Sequence, residues 1–180
     1  MTEYYDIIDF WFAEIDPKAW WEKDELFDRR VLDRFLDHHT AASRCELFTW
    51  RDKPLGRLAE IIVLDQFSRN MFRNSPESFA YDNLALCLAQ EAIHIGANEG
   101  LESAHKAFLY MPFMHSESAR IHEQAVTLFS DPGMEYNLEF ELKHKAIIDR
   151  FGRYPHRNKI LGRPSTKEEL GFLKEPDSSF

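Results

Sequence analysis

"PLGRLAEIIVLDQF", residues 54 to 67, decides the fold class. Pro54 suits the first turn of a helix, where the N–H it lacks has no partner in any case. Leu58, Ile61, Ile62 and Leu64 then lead toward Phe67. Spacings of three and four gather side chains on one face of a helical turn. Outward from this stretch the same period recurs and convincing strand alternation is absent. A first helix is expected from Thr2 to Ala13, broken by Asp16-Pro17, and a second from about Asp24 to Arg44. A fourth is expected to start with Ser75 as cap and Pro76 as its first residue, ending before Gly96. The fifth covers about Leu101 to Tyr110, stopped by Pro112; the sixth runs from a Ser116 cap to Phe129. The seventh runs from about Tyr136 to Phe151, with Gly152 in the left-handed closing position. Ser165 and Glu168 read as a capping box opening a short last helix. The expectation is an all-α array of seven or eight antiparallel helices, one domain over 1–175 with a loose tail over 176–180.

The 180 residues carry 44% hydrophobic side chains, with 15 Phe and 4 Trp, enough for a core of large rings. A net charge of -9 argues against a nucleic-acid binder, which needs a dominant basic surface. No apolar run approaches the roughly 20 residues of a membrane span. Cys45 and Cys87 show no paired framework, and "MTEYYDIIDFWFAEI" has no basic region of the kind that opens a signal peptide, so a cytoplasmic location is expected.

The charge is segregated. "RFGRYPHRNKILGRPST" (150–166) holds Arg150, Arg153, Arg157, Lys159 and Arg163 with no acid among them. "SRNMFRN" (68–74) holds Arg69 and Arg73. Polar residues also interrupt apolar stripes. Asp65 and Arg69 extend the Leu58–Ile61–Ile62 face at a spacing that lets them pair. Glu117 and Gln124 share a face with Ile121 and Leu128, and His144 sits among Phe140, Ile147, Ile148 and Phe151. Buried charges demand partners. These groups therefore meet one another, the cations of 150–163, or a ligand. "YMPFMHSE" (110–117) adds His115 beside Glu117, an acid/base pair or ordinary capping. His38-His39 reads as solvated, and Trp20-Trp21 as packing mass. No HExxH, Cys/His spacing, phosphate loop or nucleophile elbow is present, so neither a metal nor a cofactor is expected.

Three readings follow. The first is a binding module whose polar concavity receives an anionic small molecule or the acidic group of a protein partner. Its ligand-binding residues would be Asp65, Arg69, Arg73, Gln124, Arg153, His156, Arg157 and Asn158, with His115, Glu117 and His144 beside them. The second is a small hydrolase-like enzyme, with His115 or His144 as general base and Glu117 or Asp65 orienting it. The third is an ion-pair network that clamps the C-terminal segment and forms no site.

"LDQFSRNMFR" (64–73), "YMPFMHSE" with Gln124 after it, and "RFGRYPHRNKILGRPSTKEE" (150–169) together resemble the bacterial domain of unknown function 924. "FWF" (10–12), Trp20, Asp24, Phe27, Asp28 and "ESFAYDNLAL" (77–86) fit too, so the resemblance covers nearly the whole chain. Ser68 stands where Pro is more usual in the family, and Tyr154 where Phe is common. The resemblance implies an all-helical fold similar to tetratricopeptide repeats. It implies no activity, cofactor or catalytic residue.

Overall fold

The computed structural model describes residues 3–176, 178 and 179. Thr2, the expected start of the first helix, and Asp177 and Phe180 of the expected tail lie outside the described residues. The described residues form an all-α fold without a strand among them. None of their helices is long and apolar enough to cross a membrane.

Two compact units divide the chain. The first comprises residues 1–73 and 77–112, the second 74–76 and 113–180. The first unit contains α1 (Tyr4–Asp9), α2 (Glu25–Ser43), α3 (Pro54–Ile62), α4 (Ser68–Met71), α5 (Asp82–His94) and most of α6 (Ser103–Met114). Its centre is α3, where Leu58, Ala59, Ile61 and Ile62 are wholly buried. An apolar helix face belongs against the core, and the one acid buried with it, Glu60, is paired with Arg51 at 2.7 Å. Rings from α2 and the stretches after α1 and α3 pack with α3: Phe10 lies 4.9 Å from Phe35, Phe35 lies 5.0 Å from Phe67, and Trp11 lies 5.5 Å from both Phe67 and Phe108. Gly56 lets α3 approach the segment before it. A Cβ there would stand 2.0 Å from the Trp50 carbonyl oxygen, so any side chain would push backbone apart.

Helical backbone continues from Pro54 to Met71 through a π-helical turn at Val63–Phe67. A second π-helical turn, Phe10–Glu14, follows α1. Both lie where the 3.6-residue reading expects regular helix. The turn in the longer helix carries Asp65 and Gln66, both buried.

Several boundaries differ from expectation. Pro76–Phe79 forms a 3₁₀ turn held by Ser78, whose hydroxyl donates to the Phe72 carbonyl at 3.0 Å, and α5 begins only at Asp82. α6 runs through Pro112 to Met114. Proline there costs one helical hydrogen bond. His38 and His39 are buried, not solvated: His39 Nε2 lies 2.8 Å from the Ser68 hydroxyl, and burial lowers its pKa. Trp20 does pack, its indole N–H donating to the Trp11 carbonyl at 3.0 Å.

The second unit contains α7 (Ala119–Phe129), α8 (Glu135–Phe151) and α9 (Lys167–Phe172). Gly152 closes α8 at φ 68, the left-handed conformation expected of it. Ile147, Ile148, Tyr154 and Phe172 form the apolar core, with Phe151 against it.

Candidate functional site

In the first unit, Asp65 is 1% exposed and pairs with Arg69 at 3.2 Å, as their spacing leads one to expect. Gln66 donates to its other oxygen at 2.6 Å. Arg69 also grips Asp82 of α5 with two bonds, 2.9 and 3.0 Å. Arg73 binds Asp28 of α2 through Nε at 2.5 Å and an η nitrogen at 2.7 Å, and Asn70 donates to the same carboxylate at 2.8 Å. The two arginines of "SRNMFR" therefore tie α4 to α5 and α2.

The remaining candidates belong to the second unit. Glu117, just before α7, accepts from both η nitrogens of Arg163 at 2.6 and 2.9 Å and from the Tyr154 backbone N–H at 2.7 Å. Burial pushes its carboxyl up, but Arg163, that N–H and the charge of Arg157 overcome it and leave the group below its ordinary value. Arg153 binds Glu169 in the same two-pronged way, at 2.7 and 2.8 Å. Asn158, fully buried, donates to Ser165 and to Glu169. Arg153 above all, then the Thr166 N–H and Asn158, hold Glu169 down at about 2 against the cost of burying it. The capping box is Thr166 with Glu169, one residue beyond the expected Ser165–Glu168. Both registers satisfy the sequence rule; Arg153 and Asn158 engage the second.

Tyr154 is the hub. Its ring is 1% exposed. The rings of His122, His144 and His156 lie 6.3, 5.8 and 5.5 Å from it, and the Arg157 guanidinium stacks 4.7 Å from its centroid. Arg157, itself buried, donates to the His115 carbonyl at 3.0 Å. His144 Nδ1 lies 2.8 Å from the Phe140 carbonyl; since a carbonyl only accepts, that nitrogen carries the hydrogen and Nε2 carries none. Burial drives the His144 pKa down to about 3, and the imidazoles of His115, His122 and His156 push it the same way. His115 and His156 remain half-buried.

The structure thus gathers His115, Glu117, His144, Arg153, His156, Arg157 and Asn158 within one unit. Gln124 is exposed on α7, while His122, Ala125 and Phe129 form that helix's buried stripe. His122 went unpredicted, as did Glu141, whose carboxylate lies 2.7 Å from His122 Nδ1. The signal was present: Glu141 and His144 are three apart, and His122 and Ala125 are three apart. Among the described residues no group of three or more His, Cys, Asp or Glu is arranged to hold a metal ion. A shallow cavity of about 270 Å³ opens elsewhere in the unit, over Ala146, Ile147, Phe151 and Phe172, with Lys143 and Arg150 at its rim.

A sequence model of the family described as bacterial protein of unknown function, domain of unknown function 924, matches residues 7–177. The chain belongs to this family. A solved protein of unknown function from Agrobacterium tumefaciens is similar to this family member at 40% identity, over 95% of this chain and 96% of its own, with a TM-score of 0.90. Comparison with curated proteins finds no match.

Proposed function

We propose that this protein is a binding module and that the histidine–arginine cluster around Tyr154 receives an anionic small molecule. One observation carries the reading: a buried guanidinium and three imidazoles converge about a single ring, and the imidazoles of His115, His122 and His156 disfavour the charged form of His144. An anion beside such a cluster relieves that repulsion. Arg157 would hold it, because a guanidinium fork fits carboxylate or phosphate. His115 and His156, half-buried, lie toward solvent.

The same geometry weakens the enzyme reading. A base whose pKa lies near 3 has little affinity for a proton at neutral pH, so His144 is poorly matched to general-base work. A structural reading has its own support. Arg153 and Arg163 are each engaged by a carboxylate with two bonds, so these two serve as clamps on residues 153–169.

The test is thermal unfolding of the wild type and of Arg157→Ala against phosphate, carboxylates, nucleotides and sugar phosphates. A ligand that binds only the folded state raises the midpoint. The proposal expects one class to raise it in the wild type and not in the variant. No shift with any anion, beside a strongly destabilised variant, would leave the clamp as the whole account.

A further inference from the structure

α7 and α8 meet through an acid and an imidazole that are both fully buried, Glu141 and His122. Glu141 Oε1 lies 2.7 Å from His122 Nδ1. On the ring's other side, Nε2 lies 2.8 Å from the Ser116 carbonyl and 3.3 Å from the Tyr154 hydroxyl. A carbonyl only accepts, so Nε2 carries a hydrogen. The Tyr154 hydroxyl gives its own hydrogen to the Met114 carbonyl at 2.5 Å, so toward His122 it also accepts. The contact at Nδ1 then needs one more hydrogen, either on Nδ1, as an ion pair, or on Oε1, as a neutral pair. The two forms differ in where that proton sits, not in how many there are.

Glu141 Oε2 decides between them. It is buried and, among the described residues, has no hydrogen-bond partner. An ionised carboxylate would leave half its charge on that oxygen with no donor, whereas a protonated acid leaves only a carbonyl there. Burial also pushes the Glu141 carboxyl upward, against His122 and the charge of Lys145.

We infer that His122 and Glu141 share a single dissociable proton, carried on Glu141 in a neutral hydrogen-bonded pair, and that this pair gives the second unit a stability optimum in mild acid. This does not depend on the anion reading. In the unfolded chain the acid titrates near 4.3 and the imidazole near 6.5. Between those values the unfolded groups hold one such proton, as the folded pair does, and the contribution is flat. Above about 6.5 the unfolded chain has released its proton while the folded pair keeps one, so stability falls as pH rises. Below about 4.3 the unfolded chain takes a second, and stability falls as pH falls. Other titratable groups face the pair: Lys145 of α8 acts on Glu141, His144 of α8 acts with His122, and the Tyr154 hydroxyl from the segment after α8 lies beside His122 Nε2. They remain unchanged in a Glu141→Gln variant, so comparing the two proteins cancels them.

The Glu141→Gln side chain keeps the shape and donates an amide hydrogen to Nδ1 where the acid donated its own. The experiment compares hydrogen-exchange protection of α7 and α8 in the full wild-type chain and in Glu141→Gln between pH 5 and 8. The variant's folded imidazole is neutral, so its stability rises with pH to about 6.5 and then levels. The ratio of variant to wild-type folding constants should climb about tenfold per pH unit. A ratio that stays constant overturns the inference. Nitrogen-15 spectra of the wild-type imidazoles decide the proton's place even if the variant does not fold. His122 with Nε2 protonated and Nδ1 bare supports the neutral pair; an imidazolium overturns it.

Discussion

Each unit is held together by a different kind of interior. In the first, Phe10, Trp11, Phe35, Phe67 and Phe108 fill the middle, and arginines sit toward the edge, each on an acid: Arg51 on Glu60, Arg69 on Asp82, Arg73 on Asp28. Glu60, Asp65, His38 and His39 are buried there too, but the rings outweigh them. In the second unit polar groups take a larger share of the interior. His122, Glu141, His144, Arg157, Asn158 and Glu169 are buried beside a small apolar cluster of Ile147, Ile148, Tyr154 and Phe172. Ring burial does not titrate. Buried acids and imidazoles do. The contrast teaches where the proposed anion and the proposed pH dependence would be felt: on the second unit first.

The largest expected effect tests the apolar half. Phe10→Ala removes a ring that contacts three others and should cost about 3–5 kcal/mol, nearly independent of pH between about 4 and 8. Urea unfolding at three pH values checks it. A cost that varies strongly with pH would erase the distinction between the units.

Next comes the clamp. Arg163→Ala leaves Glu117 without its two charged donors and should cost about 1.5–3 kcal/mol, with the loss of exchange protection concentrated in residues 153–163. Equal loss across both units would contradict the local reading.

The third prediction concerns acid. Glu169 is held at about 2 when folded and titrates near 4.3 when unfolded, so its stabilisation is complete above about 4.3 and is lost as pH falls toward 2. The start of α9 should lose protection over that window in the wild type, and a Glu169→Gln variant should not show the added loss. The smallest effect belongs to the surface. Arg29 and Asp33 are 70% and 60% exposed, and Arg29→Ala should change stability by less than about 0.5 kcal/mol.

The helices were legible because apolar period and punctuation agree. Pro54, the Asp24 cap and Gly152 each fall where local rules put them. The site was legible in part. Residues 150–169 announce themselves by charge, and Asp65–Arg69 by spacing. Missed features share one cause, that tertiary contacts choose among locally equivalent options. Thr166–Glu169 and Ser165–Glu168 are equal as capping boxes until Arg153 arrives. His122 looks like any polar helix residue until α8 brings Glu141 against it. The π turns leave no mark in a 3.6-residue pattern. His38 and His39 looked solvated because the helix carrying them is rich in charge.

The most direct measurement is hydrogen exchange of the full chain at about pH 6, with and without phosphate and citrate. An anion seated among Arg157, His115 and His156 should raise protection in residues 150–158 and leave α3 unchanged. Unchanged protection at 150–158 with both anions, or an equal rise in α3, would contradict the account.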